Sequence, residues 1–455
     1  MRRTLAVLAG KATGGLSRLS GRGGGTTFPG DVARAVDPAV LRRLTADLKG
    51  GSVLVTGTNG KTTTARLVSS LLTGLPARVV ANRAGANLIF GATAAAVACA
   101  GLDGRLRAEW GVFEIDEATL PIAVEEIRPR VVLVTNLFRD QLDRYGELEL
   151  LALTIQRALE RLPEPGQAVL NADDPRVGEL GQALPRPPLW YGLEDRRVGV
   201  TDLPHAADAR TCPRCGAALK FERVYVGHDG LYSCPNRDFR RPRPDLPATD
   251  IELEGLDRIR LTAAGSRFEV PLGGLYNAYN LLAAVAVGSA LGLKPAYMAE
   301  RLADAAPAFG RQERFERDGR RFTIMLAKNP TGFNQILLES ERLAGGRYFL
   351  LGLNDRIADG RDVSWIWDVD FELLADGAEL VIPSGDRAYD LAVRLKYAGV
   401  RAAAPPQPSL DLALDRLMEA LPEGGTGYLL CTYTAMLDLR AALVRRGWLR
   451  PYWAT

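Results

Sequence analysis

Short apolar runs recur along the first half of this chain, each followed by a stretch with helical spacing. The run at 52–56 (Ser-Val-Leu-Val-Thr) precedes a helical pattern at 65–72. Further runs fall at 110–115, 131–136 and 168–170. Such alternation predicts parallel strands covered by helices. Near residue 203 it stops. Residues 204–245 hold three clustered cysteines, both histidines of the chain and the exit Arg240-Arg241-Pro242-Arg243-Pro244, which together read as an inserted small module. A β-like piece and a helix over 277–291 then return to the first unit. After Gly310 a second α/β pattern begins, with strands expected at 322–326, 348–352, 379–382 and 427–431. The expected fold is therefore α/β. A basic lead-in (1–48) precedes a central domain (49–310) carrying a ribbon-like cysteine insertion (204–245), and a smaller C-terminal α/β domain (311–455) follows.

Composition narrows this picture only a little. A length of 455 residues gives room for two to four domains, and 47% apolar with 24% charged residues is ordinary for a globular protein. A net charge of +3 is too small to argue for nucleic acid. No apolar run approaches a membrane span. The first 30 residues carry Arg2, Arg3, Lys11, Arg18 and Arg22 and no acid. The apolar run at 4–10 is short, Lys11 interrupts it and no cleavage site follows, which argues against a signal peptide. Leu5, Leu8 and Leu16 among these bases suit a surface helix, either solvated or touching an anionic membrane. Five cysteines, three of them in one window, make a poor disulfide framework and suit a reducing cytoplasm with a metal site.

The chemistry begins at Gly57-Thr58-Asn59-Gly60-Lys61-Thr62-Thr63. Strand, glycine turn, lysine, hydroxyl and helix is the build of a phosphate cradle for ATP. Backbone N–H groups and the Lys61 ammonium face phosphate oxygens, and the Thr62 hydroxyl faces Mg²⁺. The loop is a short form, since Val55 stands where the general pattern has its first glycine. Glu114-Ile115-Asp116-Glu117 follows the apolar stretch Trp110-Gly111-Val112-Phe113, and Glu114 suits a second Mg²⁺ ligand. Polar residues also follow the runs ending at Asn136 and Leu170, as Thr135-Asn136 through Gly146 and as Asn171-Ala172-Asp173-Asp174-Pro175.

Taken in order with Asn277-Ala278-Tyr279-Asn280 and Gly310-Arg311-Gln312-Glu313, these pieces resemble the Mur ligase superfamily, whose members activate a carboxylate as an acyl phosphate for attack by an amine. Cys212-Pro213-Arg214-Cys215, Ala327–Gly332 and the run from Asn354 through Asp368 extend the resemblance to the superfamily's amidating branch. That branch is the ligase-like half of lipid II isoglutaminyl synthases. The resemblance implies a Mur-ligase-type central domain in which Asn277, Asn280 and Arg311 serve the nucleotide and Lys328 stabilises the transferring phosphate. It implies a heterodimer with a GatD-like glutaminase and amidation of the D-glutamate α-carboxylate of lipid II. Asp362 matches the acid that orients the partner's histidine, and Asp355, Asp359 and Asp368 compete for that role.

The residues themselves exclude glutamine hydrolysis by this chain alone. Neither Cys99 nor Cys431 lies in a Gly-x-Cys-x-Gly-like turn, and His205 and His228 sit in the inserted module. Cys212, Cys215 and Cys234 have the spacing of a zinc ribbon, but Arg237 stands where a fourth cysteine is needed. His228 or Asp238 could complete a Zn²⁺ site, or the module packs without metal. Two other readings stay open. One is a Mur-type ligase for an amino acid or polyglutamate. The other is a nucleic-acid-binding ATPase using Arg240–Arg243, against which the near-neutral charge speaks.

Overall fold

The computed structural model describes residues 1–455 except 20–26, 76, 83–84, 140–146, 205–206, 238, 306–310, 342–346 and 451–455. Six strands form the parallel heart of the first sheet: β1 (Gly51–Thr56), β2 (Val79–Ala81), β3 (Trp110–Glu114), β4 (Val131–Val134), β5 (Gln167–Asn171) and β6 (Leu189–Leu193). A hairpin, β7 (Lys220–Val226) and β8 (Asp229–Ser233), stands apart as a two-stranded sheet. The chain then rejoins the first sheet through β9 (Leu246–Glu254), β10 (Arg258–Ala263) and β11 (Ser266–Val270). The nine strands lie in the order β11-β10-β9-β6-β5-β4-β1-β3-β2.

The parallel strands are buried on both faces, so they read as unbroken apolar runs. Val53 and Val55 point to one face, beneath the helices Lys61–Thr73 and Leu275–Ala290, and Leu54 points to the other. The β9–β11 meander instead alternates buried and exposed positions along β9. Only one β-like piece is expected there from sequence. The difference arises because half-exposed antiparallel strands carry too few apolar residues in a row to stand out.

The second sheet contains β12 (Arg311–Arg317), β13 (Arg320–Leu326), β14 (Arg347–Gly352), β15 (Ala378–Ser384) and β16 (Thr426–Cys431), in the order β12-β13-β16-β14-β15. Only β12 runs antiparallel to its neighbour. No described helix is long and apolar enough to cross a membrane.

The basic lead-in is three helices, Arg2–Leu19, Phe28–Val36 and Val40–Thr45. The first is helical as expected, but it docks through Ala6 and Val7 rather than through Leu5 and Leu8. Ala6 and Val7 are fully buried, whereas Leu5 and Leu8 stand half-exposed. Small residues allow close approach: a Cβ on Gly30 would lie 1.9 Å from the Phe90 carbonyl oxygen. Gly30→Ala would gain about 1 kcal/mol of helix propensity. The clash with fixed backbone costs more, so we expect net destabilisation of about 1–3 kcal/mol. Urea unfolding would read it, and an unchanged midpoint would refute the tight seat.

Candidate functional site

In chain order, β2 and β3 lie to one side of β1, and β4, β5 and β6 to the other. The loops leaving β1, β3 and β4 therefore converge at the carboxyl edge of the sheet, where open α/β folds place ligands. The β1 loop needs its glycines. Gly57 has φ +114° and Gly60 φ +85°, and Cβ atoms there would lie 2.3 Å from Thr135 Oγ1 and 2.1 Å from Asn280 Oδ1. Gly60 begins the helix Lys61–Thr73 with no side-chain cap, so first-turn N–H groups face the mouth of the loop.

Lys61 is buried across this loop. Its ammonium donates to the carbonyls of Gly57 and Thr58 and pairs with Glu117 at 3.2 Å. The Thr62 hydroxyl donates to Glu114 Oε2 at 2.8 Å. These two oxygens come from residues 52 positions apart and suit Mg²⁺, which prefers few protein oxygens and retained water. Asn82 fixes the Glu114 backbone from both sides, donating to its carbonyl and accepting from its N–H at 2.8 Å each. Thr58 and Asn59 are held from the β4 loop. Asn136 accepts from the Asn59 N–H at 2.8 Å through Oδ1, and Thr135 Oγ1 donates to the Asn59 carbonyl at 2.8 Å.

The helix Leu275–Ala290 supplies a second wall. Asn277 and Asn280 share one face, one turn apart, and are joined by a 2.8 Å hydrogen bond. Asn280 Oδ1 accepts from Thr64 Oγ1 at 3.2 Å. A third wall comes from the C-terminal unit. Asn329 Nδ2 donates to Asn59 Oδ1 at 3.0 Å, which brings its neighbour, the half-buried Lys328, up to the β1 loop. Gln312, buried at φ +56°, clamps both backbone groups of Gly273 and donates to the Tyr276 hydroxyl at 2.7 Å. Between the walls lies a cleft lined both by polar residues, among them Asn59, Asn136 and Asn280, and by apolar ones, among them Phe138, Met325 and Ile336. A mixed lining of this kind suits a ligand with both charged and flat apolar parts, as a nucleotide has.

The arrangement joins Gly57 through Thr63, Glu114, Asn277, Asn280 and Lys328. The Arg311 side chain and residues 140–146 of the strand-end motif lie outside the described residues. Glu117, Asn136, Phe138, Gln312 and Asn329 belong to the same site and go unselected by sequence reasoning. Gln312 stands within the quoted Gly310-Arg311-Gln312-Glu313, and Asn329 within the quoted Ala327–Gly332, which was the available signal.

Asp362 lies elsewhere, on the exposed turn before the short helix Ser364–Asp368. Its Oδ1 accepts from the Ser364 N–H at 2.8 Å, and hydrogen bonds from Ser364 hold its carboxyl below the usual range. Its competitors are engaged. Asp359 is buried and accepts from the Thr434 N–H at 2.9 Å. Asp355 and Asp368 face Arg387 and Arg139 at 3.8 Å and 3.7 Å.

In the inserted module, ligand atoms of Cys212, Cys215 and Cys234 all lie within 4.8 Å of one another, a spacing that three thiolates around Zn²⁺ can adopt. The second knuckle keeps its shape without its cysteine. Arg237 takes φ +62° and its N–H donates to the Cys234 carbonyl at 3.0 Å, while its side chain is exposed. His228 is not the missing ligand. The β7–β8 register puts it at the turn, opposite the end that carries Cys234. There it is fully buried against Phe138, with ring centroids 4.3 Å apart. Its Nδ1 accepts from the Ala209 N–H, so its proton sits on Nε2, 3.5 Å from Asp174 Oδ2. Among the described residues, the potential ligand group that contains His228 is the one it forms with Asp174 and Asp229, apart from the cysteines. Asp238 and His205 lie outside the described residues.

Residues 55–206 match the Mur ligase middle domain, and residues 326–436 match the MurT ligase C-terminal family. The chain is 34% identical to the Staphylococcus aureus lipid II isoglutaminyl synthase (glutamine-hydrolyzing) subunit MurT, over 87% of each chain. It is 35% identical to the Streptococcus pneumoniae protein of the same name, over 98% of each. Among solved structures, a pseudomurein peptide ligase type C from Methanothermus fervidus superposes with a TM-score of 0.67 at 22% identity, covering 88% of this chain and 79% of that one. The MurF ligase of Thermotoga maritima in complex with ADP gives 0.61 at 17% identity, covering 91% and 85%. These last two establish the Mur-ligase fold.

Proposed function

This chain belongs to the MurT family of Mur-type ligase subunits, and on that premise we propose that it amidates the D-glutamate α-carboxylate of lipid II to D-isoglutamine, using ATP and ammonia from a separate GatD-like glutaminase. The observation that carries the ligase step is the meeting of Lys61, the Thr62–Glu114 pair and the Lys328–Asn329 turn around one loop. The substrate carboxylate oxygen attacks the γ-phosphorus, the bond to the bridging oxygen breaks, and ADP leaves. Ammonia then attacks the acyl carbon, phosphate departs with the C–O bonding pair, and the surplus N–H proton passes to solvent.

Lys61 and the uncapped N–H groups hold the β- and γ-phosphates, and Lys328 faces the transferring group. Thr62 and Glu114 hold Mg²⁺, which when bound offsets phosphate charge. Phosphoryl transfer asks mostly for such positioning and charge stabilisation. Cys212, Cys215 and Cys234 would hold Zn²⁺ as a structural ion, with its fourth position left to a non-thiol ligand.

Ammonia must come from outside. Burial pushes the Cys431 thiol up to about 12, which leaves no thiolate there at neutral pH. His228 is sealed in the module. A lipid-bound substrate calls for work at the inner membrane face, and Leu5 and Leu8 stand half-exposed beside the exposed Arg2. Sedimentation with phosphatidylglycerol vesicles checks this contact, and a wholly unbound protein refutes it.

The test of the whole reading is amidation of lipid II with ATP and either ammonium or glutamine, with and without the glutaminase. Ammonium should suffice alone, and glutamine should serve only with the partner. ATP binding without amide from either nitrogen source would turn the reading towards amino-acid or polyglutamate ligation.

A further inference from the structure

The inner wall of the cleft is built partly by the cysteine module. At the β7–β8 turn, Gly227 has φ +61°, and a Cβ there would lie 2.5 Å from Phe138 and 3.0 Å from Thr331. The turn is thus wedged between the β4 loop and the helix Pro330–Glu341. Next to it, Asp229 lines the cleft while only 1% exposed. Its Oδ2 accepts from Asn171 Nδ2 at 3.1 Å. Its Oδ1 is buried with no hydrogen-bond partner among the described residues. A buried polar atom left unpaired is costly, and this one belongs to a residue that lines the cleft.

We propose that Asp229 contacts the purine of the nucleotide, its Oδ1 hydrogen-bonding a ring nitrogen, so that the cysteine module takes part in nucleotide recognition. The inference rests on reading the cleft as the ATP site. Burial, with Asp174 and Asp173 nearby, pushes the Asp229 acid well above the carboxylate range. That direction favours the protonated acid, and with Oδ2 already accepting from Asn171, Oδ1 is the oxygen left to donate. Several polar groups around it have partners of their own, while the Tyr232 hydroxyl and His228 Nε2 are, like Oδ1, buried without a hydrogen-bond partner among the described residues. Arg241 pairs with Asp173 and Glu194, the Tyr279 hydroxyl donates to Asp173, the Tyr191 hydroxyl donates to the Val134 carbonyl, and His228 faces Asp174. An O–H donor suits adenine, whose ring nitrogens accept. A neutral acid also adds no charge against the phosphates.

Titration calorimetry on the full-length protein with Mg²⁺ tests this, using ATP and inorganic tripolyphosphate as probes. Asp229→Ala should weaken ATP about five- to tenfold and leave tripolyphosphate within about twofold. Asp229→Asn should restore most of the ATP affinity, because its amide can donate where the acid did. Unchanged ATP affinity in Asp229→Ala, or equal losses in both variants, overturns the proposal. A second measurement needs no variant. One ring nitrogen of ¹⁵N-labelled ATP should move to its hydrogen-bonded resonance on binding the wild-type protein, and no moved ring nitrogen overturns the proposal. A wild-type protein that binds neither probe removes the nucleotide-site reading itself, and this inference with it.

Discussion

Lys61→Met should lower ATP-dependent amidation about 10³-fold, with ammonium as nitrogen source and the fold intact. Removing one well-placed donor from a developing charge typically costs 10²–10³ in rate. The upper end is expected here because the loss is double. The ammonium no longer meets the phosphates, and Glu117, only 8% exposed, is left facing them without its cation. Methionine keeps the aliphatic stem that fills the buried slot. The assay is single-turnover amide formation at saturating ATP, with thermal unfolding as control. A drop of less than tenfold in a stably folded variant would remove Lys61 from the chemistry.

Asp362→Asn should separate two activities that a defect in the ligase site would lower together. Glutamine-driven amidation, measured with the glutaminase bound, should fall about 10⁴-fold, the usual cost of losing the acid that orients a triad histidine. Ammonium-driven amidation should stay within about twofold. Asp362 fits this role because it is exposed, held below the usual carboxylate range and, among the described residues, bonded to its own turn, whereas Asp359 is spent on Thr434. Equal loss with both nitrogen sources would mean that the turn supports the ligase site instead. Asp359→Asn is the contrasting variant. It removes a buried latch and should cost stability whatever the nitrogen source.

The parts of the site legible in the sequence are those whose spacing is local. Strand, glycine loop and helix around Lys61 follow from a dozen consecutive residues. Asn277 and Asn280 share a face because they lie one helical turn apart. The Thr62–Glu114 pair could be anticipated because Thr62 opens the helix after β1 and Glu114 ends β3, two parallel strands whose carboxyl ends share one sheet edge. Gln312, Asn329 and Asp229 could not. Each reaches the cleft through packing between units far apart in the chain, and each residue type is common in ordinary turns. His228 is instructive in another way. Its sequence neighbours are cysteines, but hairpin register, which one apolar count cannot supply, carries it to the opposite end of the module. The lead-in helices also escaped full reading, since glycine and alanine seats look like weak helix rather than like core.

The C-terminal sheet also sets an order of events during synthesis. Its central strand, β16, is the last made, yet it pairs with both β13 and β14. Until the ribosome passes Cys431, two apolar strands each lack a neighbour on the side where β16 will lie. Open strand edges of this kind recruit other chains, and long-range insertion of a middle strand is slow. The nascent chain therefore passes through an interval of exposure late in translation, after the phosphate loop and the first sheet are already complete. Slow codons before residue 426 would prolong that interval, so the yield of folded enzyme depends on where translation pauses.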